Sequence, residues 1–346
     1  MPTLTTFHKQ SLTADVVTAL ARTTEAAVAS LSPKTIGNRG CCFTFHRATP
    51  AIDWPDQPNR GFHIDLSYLE GLITHLQRTG WDIVTLSEAL RRSAERGTGR
   101  FVNFSVDDCY RDTADLVVPL FRRLNAPVTL FVTTGIPDRL FRLRDAGLET
   151  ILQTEKACCV EGQTYRLETS AQKRLAYMAI NARWETSPDP DERYAQFCRQ
   201  HGHDPDVLDD LHRITWPMLK AIADDPLVEI GGHTVMHSRI SALSESEAMA
   251  EIEGCRDRLR EKLGRAVRHF AFPYGRAGDC GMREFAFARR AGFDSASTTR
   301  KGLLFNDTDP FRLPRNTLNG SHRRLALAYA HLTGASGLAA RVMHRD

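Results

Sequence analysis

Two adjacent carboxylates, Asp107 and Asp108, end the run Phe101-Val-Asn-Phe-Ser-Val106. The run is apolar or small and rich in β-formers, so it reads as a buried strand. In α/β folds the C-terminal end of such a strand is where ligands bind and chemistry happens. Side chains alternate along a strand, so the two carboxylates point to different sides, and one can bind a cation while the other takes a proton. A helix N-cap followed by a first-turn acid accounts for the same pair. A second pair, His233 and His237, follows Leu227-Val-Glu-Ile230 and two glycines. Four apart on a helical turn, the imidazoles share a face and can share a metal. An Asp and two His with open positions for water suit a divalent Lewis acid, although two surface histidines on a helix are a common accident. The third piece is Phe270-Ala-Phe-Pro-Tyr-Gly-Arg276. Pro273 fixes the backbone and Gly275 tolerates unusual dihedrals, so a backbone N–H held here can point at a developing oxyanion. Taken alone, this stretch is also an ordinary turn after an edge strand.

The elements that must position these groups alternate. Residues 41–45 read as a first strand ending at His46-Arg47, and 50–60, with three prolines, as a loop. Leu66, Leu69, Leu72, Ile73 and Leu76 make one face of a helix over 65–78, which Gly80 stops. A short strand over 81–86 follows, and Ser87 is expected to cap a helix over 88–96. Strand 101–106, helix 113–124 and strand 127–133 form a β-α-β unit, whose strands should be parallel. Residues 137 to about 226 break the rhythm and read as a mainly helical, charged insertion over one end of the sheet. Strands resume at 227–230, 269–272 and 293–297, with 311–313 as a last one and helices over 245–263, 282–290 and 325–332. About seven parallel strands are enough to close a barrel. The expected organisation is an N-terminal helix and linker over 1–40, a barrel over 41–320 carrying the insertion, and a C-terminal helix and tail over 321–346.

The bulk composition excludes several classes. The chain has 346 residues, 42% hydrophobic and 25% charged, with a net charge of +3, too balanced to imply nucleic acid. No segment has the apolar length of a membrane span. Residues 1–31 lack a basic head followed by an apolar run, which leads to the expectation of a cytoplasmic protein. Eight cysteines include the vicinal pairs Cys41-Cys42 and Cys158-Cys159 and no C-x-x-C, a pattern of free thiols, not of a zinc ribbon or disulfide framework.

In this order the three pieces resemble the polysaccharide deacetylases of carbohydrate esterase family 4, which share the nodulation-type chitooligosaccharide deacetylase domain. The family's T-F-D-D-G is similar to Ser105-Val-Asp-Asp-Cys109, its H-[ST]-x-x-H to His233-Thr-Val-Met-His237, and its R-x-P-Y-G to Ala271-Phe-Pro-Tyr-Gly275. The resemblance spans about 43–318, with flanks at Phe45-His-Arg47, Gly80-Trp-Asp-Ile-Val-Thr-Leu86 and Phe311-Arg-Leu-Pro-Arg315.

The resemblance implies a distorted (β/α)7 barrel with a mainly helical insertion. It implies a metal-dependent hydrolase that removes N-acetyl groups from an amino sugar in an oligosaccharide or polysaccharide precursor. Asp107 would be the general base, with Asp108, His233 and His237 binding zinc (cobalt, nickel or manganese in its place). The N–H of Tyr274 would help hold the oxyanion, and Pro273 and Arg47 would contact the carbohydrate. Three departures stand out. The motif-three Arg is Ala271, so the usual tether of the base is expected to be missing. No D-x-x-W and no late L-x-x-H supplies an acid, which leaves His46 as the substitute, with a hydrogen-bonded structural histidine as its alternative. Cys109 replaces a Gly beside the ligand Asp, either as a tolerated small residue or as a group approaching the metal. His201, His203 and His212 are expected in solvent, and His322 carries little weight. Trp184 and Trp216 either stack on a sugar or pack in the core. Two other classes remain open: a cyclic-amide hydrolase on the same barrel, and a sugar-binding relative without turnover.

Overall fold

A computed structural model describes residues 39–50, 57–95, 99–334 and 336–337. The expected N-terminal helix over 11–31 lies outside them. The chain opens with β1 (Arg39–Phe45), β2 (Arg47–Thr49) and β3 (His63–Asp65), followed by the helix Leu66–Arg78. Asp65 caps that helix, its Oδ1 accepting from the Ser67 N–H at 2.8 Å. Then come β4 (Asp82–Ile83), the helix Leu86–Ala94 and β5 (Arg100–Asp108). Thr85, not Ser87, caps the second helix, accepting from the Glu88 N–H at 3.2 Å. Ser87 instead lies in its first turn, bonded to Glu229.

After β5 the chain forms a π-helical turn, Thr113–Val117, that runs into the α-helix Val118–Arg123. Pro119 has no N–H to bond one turn back, and the wider turn accommodates it. Next come β6 (Val128–Val132), the insertion with its antiparallel hairpin β7 (Ala157–Val160) and β8 (Gln163–Arg166), and β9 (Val228–Gly232). The barrel finishes with the helix Glu245–Leu263, β10 (His269–Ala271), the helix Met282–Arg290, β11 (Ser295–Ser297) and β12 (Asn316–Thr317), before the helix Leu325–Leu332. The strand expected at 311–313 is a 3₁₀ turn, Pro310–Arg312. Pro310 begins it, and the Asp309 carboxylate accepts from the Phe311 N–H at 2.9 Å.

The main sheet runs β11-β10-β9-β6-β5-β1-β12, and every pair in it is parallel. One edge of β5 is shared, β4 pairing at its start and β6 at its end. Residues 313–317 close the ring: Leu313 bridges Ser297 of β11, and Asn316 pairs with Phe43 of β1. This is the distorted (β/α)7 barrel.

The alternation of β5 sorts its side chains. Val102, Phe104 and Val106 join the large apolar cluster beneath the helices, whereas Phe101 joins the smaller cluster with Cys42, Phe131, Ala271 and Leu313. Asn103, Ser105 and Asp107 share the face of Phe101, so the lumen becomes polar towards its upper end. The insertion has an apolar cluster of its own around Trp184, Tyr194 and Phe197. Trp184 is fully buried there, and Trp216 donates from Nε1 to Asp138 at 2.8 Å. All eight cysteines are free thiols.

Candidate active site

β5 extends two residues beyond the expected strand, so both carboxylates are still in register with β6: Asp107 beside Phe131 and Asp108 beside Val132. Both are buried. Asp108 has φ 67° and Cys109 φ 66°, so the chain leaves the strand through two left-handed residues. Thr234, His237 and Tyr274 are left-handed as well, so backbone strain gathers around this one site.

Left-handed residues at 234 and 237 rule out the helical turn expected for the histidine pair. The segment 233–239 is an irregular bend. It is held by Glu251, whose Oε2 accepts from the N–H groups of Val235 at 3.0 Å and Met236 at 2.9 Å. No pattern in the sequence linked Glu251 to the histidines.

The bend nevertheless brings both imidazoles to Asp108. Its Oδ1 is 3.4 Å from His233 Nε2 and 3.2 Å from His237 Nε2. One ligand atom from each of the three residues lies within 4.8 Å of the others. His233 Nδ1 is 2.8 Å from the carbonyl of Ala271. A carbonyl only accepts, so Nδ1 carries the proton and Nε2 presents its lone pair to the centre. Asp108 Oδ1 is buried without a hydrogen bond among the described residues. A buried oxygen left so is costly unless a cation meets it. Two imidazole nitrogens and a carboxylate are a donor set for zinc or a neighbouring divalent metal. The residues therefore fit the metal that the sequence implies. Burial would raise the Asp108 carboxyl, but the facing His237 and His233 hold it well below the usual range.

Asp107 has a different partner. Arg315 Nη1 is 2.6 Å from Oδ1, and Nη2 is 2.8 Å from Oδ2. Asp107 is therefore tethered after all, by a guanidinium from the closing segment where the sequence has Ala271 in place of the motif-three Arg. Nε of Arg315 donates to the Thr298 carbonyl at 3.0 Å, and Nη1 also reaches Thr44 and Ser105. Burial raises the Asp107 carboxyl, and Arg315, with His233 and His46, outweighs it, so the net shift is downward. The sequence contained this Arg in Phe311-Arg-Leu-Pro-Arg315, but no local signal aimed it at Asp107.

Tyr274, Pro273 and Gly275 form the opposite rim. A Cβ on Gly275 would lie 2.7 Å from the Thr299 backbone nitrogen, so only Gly fits at this φ of 67°. The Tyr274 ring lies 5.2 Å from that of His237, and its N–H meets no acceptor among the described residues. Pro273 is buried behind it. His46 stacks on Phe62 at 4.4 Å and makes no hydrogen bond among the described residues. Burial lowers its pKa, and the carboxylates of Asp108 and Asp107 pull the other way.

Arg47 is buried. Its Nε faces Asp112 at 3.3 Å, Nη1 faces Glu149 at 3.3 Å, and Nη2 faces His212 at 3.1 Å. It joins the insertion to the barrel mouth, and His212 is part of that joint instead of lying in solvent. His322 is also inside, 3.2 Å from His331. Cys109 Sγ turns towards the carbonyls of Phe131 and Val106.

A sequence model of the family described as polysaccharide deacetylase matches residues 94–280. No curated protein sequence matches the chain. Among solved structures, it is similar to the Streptococcus pyogenes deacetylase PplD in complex with acetate, with TM-score 0.57 and 13% identity over 86% of this chain and 99% of that one. It is similar to IcaB from Ammonifex degensii, with TM-score 0.54 and 16% identity over 85% and 97%. It is also similar to a de-N-acetylase from Aggregatibacter actinomycetemcomitans, with TM-score 0.52 and 12% identity over 85% and 100%. At these identities the solved structures speak for the shared fold.

Proposed function

From the chain's membership of the polysaccharide deacetylase family, we propose that it removes N-acetyl groups from an amino sugar within an oligosaccharide or polysaccharide precursor. The observation that carries this reading is the division of labour between neighbouring carboxylates. Asp108 faces two imidazoles and has an oxygen with no hydrogen bond among the described residues. Asp107, next in the chain, is held by Arg315 and left out of the ligand set. A module that only bound sugar would have no use for the second carboxylate.

Asp108, His233 and His237 would hold the cation, zinc by preference. When bound, such an ion supplies Lewis acidity towards an acyl oxygen and makes nearby water more acidic. Asp107, ionised beside Arg315, takes the proton of the attacking water. The N–H of Tyr274, which meets no acceptor among the described residues, would stabilise the charge that develops on the acyl oxygen. His46 delivers a proton to the departing nitrogen, because an amide anion does not leave unprotonated. Pro273 sets the rim beneath the acetyl group, and Arg47 forms the wall that joins the insertion to the mouth.

No helix among the described residues is long and apolar enough to cross a membrane. The eight free thiols suit a cytoplasmic setting, with a soluble or lipid-linked precursor as substrate.

The test is acetate release from N-acetylglucosamine oligomers, measured with metal content. We expect one divalent ion per chain and turnover that a chelator abolishes and zinc restores. Asp108→Asn should lose both the metal and turnover, and Asp107→Asn should lose turnover alone. Acetate release that survives the chelator, or a protein that binds no divalent ion, overturns the reading.

A further inference from the structure

Asp145 opens the helix Arg144–Thr154 of the insertion. One turn on, Glu149 projects from the same face. Glu149 is buried and touches the barrel mouth directly, its Oε2 lying 3.3 Å from Arg47 Nη1 and 3.0 Å from His63 Nε2. The Arg47 guanidinium lies 4.8 Å from the centre of the Tyr110 ring. Tyr110 comes two residues after Asp108, and Phe62, stacked on His46, meets it edge-on at 6.1 Å. The face that carries Asp145 is therefore turned onto the mouth above the two carboxylates.

The other charged groups nearby have partners. Arg144 pairs with Asp191, Glu149 with Arg47 and His63, and Arg47 with Asp112. Asp145 has no hydrogen bond and no ion pair among the described residues. It is half-buried, and burial, helped by Glu149, pushes its carboxyl up to about 6. A carboxylate that gives up water without gaining a protein partner is unfavourable in the free protein. Sugar hydroxyls would supply the missing donors.

We propose that Asp145 is a specificity-determining residue that accepts hydrogen bonds from hydroxyl groups of the sugar carrying the acetamide. The proposal rests on the deacetylase reading and adds to it that the insertion takes part in recognising the carbohydrate. Carboxylate–hydroxyl pairs are charge-assisted, so losing them is felt mainly in binding.

The experiment compares two acetyl donors, N-acetylglucosamine oligomers and p-nitrophenyl acetate, which has no sugar hydroxyls. For Asp145→Ala we expect KM for the oligomers to rise about 10- to 100-fold. Turnover of p-nitrophenyl acetate and metal content should match wild type. Asp145→Asn keeps one neutral acceptor oxygen and should recover part, not all, of the oligomer affinity. If Asp145→Ala leaves the oligomer KM unchanged, or impairs both donors alike, the assignment is overturned and the deacetylase reading stands. If wild type cleaves p-nitrophenyl acetate but no N-acetyl sugar, the deacetylase reading fails and takes the assignment with it.

Discussion

Arg315 grips Asp107 with both ends of its guanidinium across a separation of 208 residues, at 2.6 and 2.8 Å. The pair exists because residues 313–317 close the barrel between β11 and β1. Arg315 therefore couples closure of the fold to the charge state of Asp107.

That coupling predicts the behaviour of Arg315→Met. Burial alone raises the Asp107 carboxyl, and the guanidinium beside it brings it down. A lowered carboxyl stays ionised at neutral pH and loses its charge only as pH falls below the ordinary carboxylate range. Without Arg315 the acidic limb of the pH–rate profile should move up towards neutrality, with kcat down about 100-fold. Breaking a buried pair also destabilises by about 3–5 kcal/mol, so urea midpoints should be recorded alongside. Arg315→Lys keeps the charge without the fork and should fall between the two. A profile that coincides with wild type would remove Arg315 from the mechanism.

Glu251 should control metal affinity without touching the metal. It bonds the N–H groups of Val235 and Met236 inside the bend between the two histidines. Glu251→Ala frees both amides and lets His237 wander. Zinc affinity, measured by chelator competition, should drop about 10- to 100-fold while the far-ultraviolet circular dichroism stays the same. Unchanged affinity would mean that the bend holds itself.

Cys109 is predicted to be a packing residue. Its Sγ is turned to two carbonyls, and burial holds the thiol well above its usual pKa. Metals are bound by the thiolate. Cys109→Ala should keep one metal per chain and activity within about threefold, a change of under 1 kcal/mol. Loss of the ion on this substitution would make Cys109 a ligand.

At the opposite end of the barrel, Glu229 predicts a stability change with pH. Its carboxylate accepts from the Leu86 N–H and from Ser87, and faces His269 at 3.3 Å. Burial pushes its pKa up, and His269 and these donors outweigh it, bringing it from 4.5 to about 2. A depressed carboxyl contributes its stability above its unfolded pKa and loses it as pH falls through the folded value. The contribution, about 3 kcal/mol, should therefore disappear between pH 4.5 and about 2. In Glu229→Gln the urea midpoint should change less with pH across that window than in wild type. Parallel curves for the two proteins would count against the assignment.

The amino-acid sequence by itself determined most strands of the main sheet and the order of the three chemical pieces, and it singled out Asp108, His233 and His237, which the fold brings together. Those signals are local. A run of β-formers, a turn after it and a ligand spacing are all carried by neighbours in the chain. The backbone of the histidine pair was misjudged because four-residue spacing does not distinguish a helix from a bend. The left-handed φ at Thr234 and His237 is stabilised by Glu251 from another element. Only tertiary structure decided that Arg315 replaces the arginine absent at Ala271, and that Asp145 comes down over the mouth from the insertion. Both depend on packing between segments far apart in the chain. An arginine fork can meet the same carboxylate from more than one strand of a closed barrel, and nothing in its immediate neighbours records which.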